Sequence, residues 1–266
     1  ETVRMLPFNQ NLQGERFFCR YERETQVAMP GYYSVKLADM NIDVELTVTE
    51  RTAMHKYTFN QPGEANLLLD LQNGLVFNSK NIRYRVLEGE VEMLDNKTIA
   101  GYNRVRGWVA RYFYYMIVFD RPYTVKKELP QEEGEKAKRF ILEFDLKEGE
   151  SVQVKVALST VGIEGAKMAL DKENPGWNFE SIKAETNGKW NDMLSLVEVE
   201  GTEEEKMNFY TSMYHLFIQP TNIADIDGKY RGANDSIFVS STGYYYSTFS
   251  LWDTYRACLL YTSPSP

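Results

Sequence analysis

Val44-Glu-Leu-Thr-Val48 alternates apolar side chains with Glu45 and Thr47, the period of two that a strand buried on one face requires. Phe140-Ile-Leu-Glu-Phe-Asp-Leu146 and Val152-Gln-Val-Lys-Val156 repeat it, and the turn-forming Lys147-Glu-Gly-Glu150 between them predicts a hairpin. Working outward, strands are expected over residues 32–37, 56–59, 66–70, 82–87 and 112–119. Pro62-Gly63, Asn73-Gly74, Gly89, Gly101 and Arg121-Pro122 punctuate them at short intervals, which favours antiparallel sheets over alternating strand and helix units. From about Gly31 to Ser159 the chain reads as mainly β, an antiparallel β-sandwich. Residues 126–139, crowded with charges of both signs, read as a solvated loop at the end of a hairpin.

The period changes after Ser159. Glu164-Gly-Ala-Lys-Met-Ala-Leu-Asp171 has the composition of a short helix. Phe179, Ile182, Ala184, Trp190 and Leu194 space out a second, with Asn187-Gly188 weakening its middle. Thr202-Glu-Glu-Glu205 is a capping box, in which a hydroxyl and a carboxylate satisfy the free amides at a helix start. Phe209, Met213, Leu216 and Phe217 follow at spacings of three and four, which predicts a third helix with one buried face. Strands followed by helices indicate two domains or an α+β chain. The part beyond Gly201 is too short for most helical domains to bury a core unaided.

Composition bounds the function. A chain of 266 residues, 43% apolar and 26% charged, is long enough and apolar enough to bury a core, so disorder is excluded. Thirty basic against 38 acidic residues give a net charge of −8 with no basic block, which repels a phosphate backbone and argues against nucleic acid as a partner. The longest uncharged apolar run, residues 112–119, is far short of the ~20 that span a bilayer, so no membrane segment is read. Cys19 and Cys258 stand alone, without the spacing of a zinc cluster or a disulfide framework. The 14% of aromatic residues suits both β-rich domains and proteins that stack on sugars, and does not separate the two.

Chemistry-bearing residues are few. His55, placed after a strand, and His215, inside the third helix, each lack a second histidine in sequence and read as structural. No nucleophile elbow, phosphate loop or dinucleotide fingerprint occurs. Asp225-Ile-Asp-Gly-Lys-Tyr-Arg-Gly232 sets two carboxylates, a glycine and an arginine close together, without the spacing of an EF-hand. It reads as a functional cluster or as an Asp-capped turn with a local Asp–Arg pair. Tyr244-Tyr-Tyr246 and Thr248-Phe-Ser-Leu-Trp-Asp-Thr-Tyr-Arg256 gather aromatics around one carboxylate and one guanidinium. Such a set binds a sugar ring, whose apolar side meets an aromatic face while a carboxylate takes its hydroxyl hydrogens. It equally opens a buried helix with Asp253 as a first-turn acid.

Five ordered motifs, Pro30-Gly-Tyr-Tyr-Ser-Val35, Val44 to Arg51, Phe209-Tyr-Thr-Ser-Met-Tyr-His215, Asp225 to Gly232 and Phe249-Ser-Leu-Trp-Asp-Thr-Tyr-Arg256, resemble glycoside hydrolase family 92. These are calcium-dependent exo-α-mannosidases, many acting on α-1,2 linkages. The resemblance implies an N-terminal β-sandwich over residues 1–172, a helical linker over 173–200, and over 201–266 the first helices of an incomplete (α/α)6 barrel. It implies an inverting mechanism, in which an acid and a base ~6.5–9.5 Å apart leave room for the attacking water. The acid, the base and most calcium ligands would lie in the later barrel, so no catalytic or metal-binding residue is expected in this chain.

Trp252 and Asp253 match the floor of the family's −1 mannose subsite, Asp253 accepting hydroxyl hydrogens and Trp252 shaping the wall. Arg256 and the Asp225–Arg231 turn would hold the first barrel helices against the sandwich. The implied partners are mannose-containing glycans and the remainder of the barrel, and the implied location is periplasmic or secreted. Glu1 without a signal peptide, and Cys258-Leu-Leu-Tyr-Thr-Ser-Pro-Ser-Pro266, whose prolines bar helix continuation, read as a fragment truncated at both ends and inactive by itself. The alternative is a non-catalytic module, either a carbohydrate-binding or a structural β-sandwich.

Overall fold

A computed structural model of the chain describes residues 3–9, 19–73, 86–106 and 110–247. Twelve strands come first: β1 (Arg4–Phe8), β2 (Val27–Met29), β3 (Tyr32–Leu37), β4 (Ile42–Val48), β5 (Thr52–Phe59), β6 (Ala65–Asp70), β7 (Val86–Met93), β8 (Thr98–Val105), β9 (Arg111–Phe119), β10 (Thr124–Glu128), β11 (Arg139–Phe144) and β12 (Ser151–Ser159). Among the described residues they form two antiparallel sheets, β1-β6-β11-β10 and β2-β3-β4-β5-β12-β9-β8-β7. The two face each other as the expected sandwich. Helices α1 (Ile163–Glu173), α2 (Phe179–Leu194) and α3 (Glu203–Phe217) follow, then a hairpin of β13 (Lys229–Arg231) and β14 (Ile237–Val239).

Alternation places the core. Ile42 and Val44 on β4, Tyr57 and Phe59 on β5, Ile117 and Phe119 on β9 and the three valines of β12 all point inward, onto Leu67, Leu69, Phe140 and Leu142 of the smaller sheet. The opposite face of the large sheet is covered by helices. Ala166, Ala169 and Leu170 of α1 lie on Ala100, Met116 and Ala157, and the four alanines let helix and sheet approach closely. Phe179 and Ile182 of α2 close over Met54, with Trp177 at their edge. Lys155 points to this same side and is buried beneath the link between α1 and α2. Its Nζ donates to the carbonyl of Asn174 at 2.7 Å and stands 4.2 Å from the Trp177 ring, and burial lowers its pKa.

Four expectations need correction. The strands over 140–146 and 152–156 are not a hairpin: β11 pairs with β6 and β10, whereas β12 pairs with β5 and β9 in the other sheet. Alternation fixes which face is buried but not which strand is the neighbour. The connecting turn instead crosses between sheets, with Gly149 at φ +79° donating its N–H to the carbonyl of Phe59 at 2.7 Å. Residues 126–139 are not a purely solvated loop. Glu135 is buried against Arg139 at 3.0 Å, and the amides of Lys136 and Ala137 donate to Gln72 Oε1.

His55 lies within β5 rather than after a strand, its Nδ1 2.8 Å from the Tyr57 hydroxyl. Finally, the apolar stripe of α3 is only partly covered by the described residues. Met213 is buried, but Phe209 and Leu216 are exposed, and the helix meets α2 mainly through Tyr214 on Trp190 at 4.8 Å. The capping box at Thr202 and Glu205 is formed as expected. The strand expected over 82–87 falls mostly outside the described residues, and its last two positions open β7.

Gly31, in the turn between β2 and β3, sits at φ +79°, where a Cβ would stand 2.4 Å from Thr186 Cγ2 of α2. Gly149 has the same φ with nothing within 4 Å. Gly149→Ala is therefore expected to cost about 1 kcal/mol of backbone strain. Gly31→Ala is expected to cost about 1–3 kcal/mol more for the overpacked contact, as read by urea denaturation. Stability also carries a pH signature. Burial pushes His55 down to about 4 from its ordinary 6.5, so between these values the unfolded chain binds a proton that the folded chain excludes. The contribution is intact above pH 6.5 and declines as the pH falls towards 4. His55→Gln is expected to flatten that decline by about 1–2 kcal/mol, the partial exposure of the residue reducing the full effect.

Candidate functional site

Beyond α3 the chain returns to the sandwich and docks on one end of it. Residues 221–223 run beside 245–247: Ile223 N–H donates to the Tyr245 carbonyl at 2.8 Å, and Ser247 N–H to the Thr221 carbonyl at 2.7 Å. The Thr221 N–H in turn donates to Ser247 Oγ at 3.0 Å, and that of Tyr245 to Asn222 Oδ1 at 3.1 Å. Between these two stretches lies the β13–β14 hairpin. Its entry is a turn in which the Gly228 N–H, at φ +79°, donates to the Asp225 carbonyl at 2.9 Å.

Asp225 is only 3% exposed and accepts the Ser159 hydroxyl at 2.7 Å. It can sit there because residue 165, in the first turn of α1, is glycine: a Cβ would meet its Oδ2 at 2.0 Å. Burial raises the Asp225 pKa, the Ser159 bond opposing that rise. The local Asp–Arg pair read from the sequence does not form among the described residues. Asp227 pairs with Lys229 at 2.6 Å instead. Arg231 reaches back to the sandwich, donating to the carbonyls of Thr160 at 2.7 Å and Val161 at 3.2 Å, with its guanidinium 5.0 Å from the Tyr112 ring. Strand geometry explains this, since Arg231 lies on a β-strand and not within the turn that Asp225 caps.

Arg51, at the β4–β5 turn, makes a second clamp that sequence reasoning missed as a functional element. Its Nη1 stands 2.7 Å from Glu173 Oε1 at the end of α1, and its Nε donates to the Ala224 carbonyl at 2.9 Å. The amide of Arg51 and the hydroxyl of Thr49 both donate to the other oxygen of Glu173. Each side chain of the ion pair is 14% exposed, so the pair is largely withdrawn from water. Arg51 closed one of the sequence motifs, but nothing in sequence ties it to Glu173, 122 positions away.

Residues 221–225, the β4–β5 turn and the end of β12 line an open groove of about 380 Å³. Thr160 Oγ1 and Asn222 Nδ2 are buried beside it without a hydrogen-bond partner among the described residues. Tyr244-Tyr-Tyr246 alternates: Tyr245 stacks on Tyr230 at 3.6 Å, while Tyr244 and Tyr246, the more exposed of the three, hold parallel rings 6.1 Å apart. Trp252, Asp253 and Arg256 lie outside the described residues, the last of which before them is Ser247. Calcium has no fitting site among the described residues. No three histidine, cysteine or acidic side chains converge there, and Asp225 and Asp227 are already committed to Ser159 and Lys229. Nor is any helix among those residues long and apolar enough to cross a membrane.

Comparison with known proteins gives the class. The profile of the glycosyl hydrolase family 92 N-terminal domain matches residues 1–159, and that of the family 92 catalytic domain matches residues 165–263. The chain belongs to glycosyl hydrolase family 92. Among solved structures it is similar to the family 92 α-mannosidase BT3965 of Bacteroides thetaiotaomicron, with 27% identity and a TM-score of 0.84 over 97% of this chain and 37% of that one. That enzyme is also known in complex with mannoimidazole, where identity is 26% and the TM-score 0.83 over 97% and 36% of the two chains. The family 92 inverting mannosidase BT2199 of the same organism shares the fold, at 19% identity and a TM-score of 0.81 over 97% and 36%. The chain thus spans little more than a third of the length of these structures. None of the curated proteins matches it.

The Asp225 seat yields a test. Gly165→Ala is expected to destabilise the chain by about 2–4 kcal/mol, because the added Cβ displaces a buried carboxylate and its Ser159 bond. Combined with Asp225→Ala it is expected to cost less than the sum of the two single changes, as a double-mutant cycle by thermal or urea unfolding would read.

Proposed function

We propose that this chain supplies the sandwich and part of the −1 sugar subsite of an inverting exo-α-mannosidase that removes terminal mannose, α-1,2-linked, from glycans. The observation that carries the reading is the likeness to BT3965, whose α-mannosidase fold this chain follows over 97% of its residues at 27% identity. Residues 1–172 are the sandwich in this proposal, 173–200 the helical linker and 201–266 the start of the helical catalytic domain. Asp253 accepts the hydroxyl hydrogens of the bound mannose, and Trp252 forms the wall that receives the apolar side of the ring. Oriented in this way, the sugar presents its anomeric carbon to an acid and a base that other residues of the protein provide, on opposite sides of the ring. The calcium that the family implies belongs to the proposal as a requirement, though not at any described residue. So does a periplasmic or secreted location.

The test is mannose release by the complete gene product from α-1,2-, α-1,3- and α-1,6-linked mannobioses, with the anomer of the first product read by NMR. Asp253→Ala is expected to lower kcat/KM by about 10³-fold or more, because the subsite would lose charge-assisted bonds that strengthen in the transition state. Activity near that of the unmodified protein would remove Asp253 from the subsite, and retained configuration in the product would rule out the inverting mechanism.

A further inference from the structure

Tyrosines crowd the outer face of the large sheet beside α1. Tyr102 follows Ala100 on β8 by two positions and Tyr114 precedes Met116 on β9 by two, so alternation turns both to the side on which α1 packs. In the ladder Tyr102 pairs with Tyr114 and Arg104 with Tyr112, while Glu90 and Glu88 of β7 stand opposite Tyr102 and Arg104. The three rings form a triangle with centroids 5.5, 5.9 and 6.1 Å apart, a breadth comparable to that of one sugar ring. We propose that Tyr102, Tyr112 and Tyr114, with Arg104 and Glu90, form a binding patch for a neutral glycan chain. The functional reading above supplies only the choice of mannan as that glycan.

The parts of the patch suit a ligand covered in hydroxyls. The tyrosines and Arg104 are half-buried and Glu90 is exposed, so rings held in a fixed arrangement still meet solvent. The guanidinium of Arg104 lies 5.3 Å from the Tyr112 ring centroid, and that of Arg231 lies 5.0 Å from the same ring. Among the described residues neither is ion-paired. Arg231 is already committed to the carbonyls of Thr160, Val161 and Asp235. Arg104 Nε has no hydrogen-bond partner among those residues, which leaves Arg104 as the donor of the patch. Glu88, beside the Tyr112 hydroxyl, pushes its pKa up, and Glu90 is the acceptor in reach of solvent. The apolar CH side of a pyranose would lie on the tyrosines, with Arg104 donating to its oxygens and Glu90 taking its hydroxyl hydrogens. Charge decides against an anionic ligand, since two carboxylates balance the two guanidiniums in a chain whose net charge is −8.

The experiment uses the complete gene product, unmodified and as Tyr102→Ala, Tyr112→Ala and Arg104→Gln. Retardation in native gels holding a neutral mannan, a phosphate-bearing mannan or a neutral glucan reads binding, beside thermal unfolding and kcat/KM on mannobiose. The neutral mannan is expected to retard the unmodified protein, and each variant to bind it about 10-fold more weakly or worse, with kcat/KM on mannobiose unchanged. Arg104→Gln keeps all three rings, so its loss of binding separates the patch from any destabilisation that the alanine variants bring. Retardation equal in all four proteins, or none of the unmodified protein by either neutral glycan, overturns the proposal. So does stronger retardation by the phosphate-bearing mannan, or a fall in mannobiose kcat/KM that parallels the loss of mannan binding, which would place the tyrosines in packing within the protein. If the unmodified protein releases no mannose, the functional reading fails and the gels still decide the patch: retardation by either neutral glycan that Arg104→Gln weakens supports it, and its absence overturns it.

Discussion

Ala166 and Ala169 bring α1 onto Ala100, Met116 and Ala157 of the large sheet, and the docked segment that follows α3 is held at the two ends of that helix. The first turn of α1 leaves room at Gly165 for the Asp225 carboxylate, and its last residue, Glu173, receives Arg51. A larger side chain at Ala166 or Ala169 would lift the helix and move both anchor points together. The constraint is one of volume: a closely packed interface of alanines turns the sheet into a rigid reference for chain some sixty residues further on.

The sheet itself is closed on both sides by different means. On the inner face, alternating Val, Ile, Tyr and Phe meet the smaller sheet in a continuous core. On the outer face, two helices cover the middle strands, and Lys155 is accommodated between them by a carbonyl and an indole rather than by a carboxylate. A buried ammonium so held keeps its charge at a cost, which the lowered pKa reflects. The α1–α2 link is thus tied to β12 by a polar contact, while Phe179 and Ile182 of α2 pack on Met54 of β5.

Much of this was legible in the sequence, because alternation and capping are local signals. The face that Val44 and Val152 turn inward, the capping box at Thr202 and the three helices all follow from residues within one or two turns of each other. Strand partnership was not legible. β11 and β12 are neighbours in the chain with matching alternation, yet the turn at Gly149 sends them to opposite sheets, a choice set by Leu67 and Ile117 far away. The turn at Asp225 was recognised but its partners were mistaken, since Ser159 and Thr160 lie more than sixty positions upstream. Glu173 gave no signal at all, being one glutamate at a helix end. Trp252 and Asp253 came from family resemblance, and what the structure adds is the anchoring of the chain that leads to them.

The central claim is the proposed one, that Asp253 binds the mannose, and the most direct measurement is a crystal structure of the complete gene product with mannoimidazole. The account predicts the Asp253 carboxylate within hydrogen-bond distance of the inhibitor's hydroxyls, with Arg51 still donating to the Ala224 carbonyl. An inhibitor bound without contact to Asp253 would contradict it.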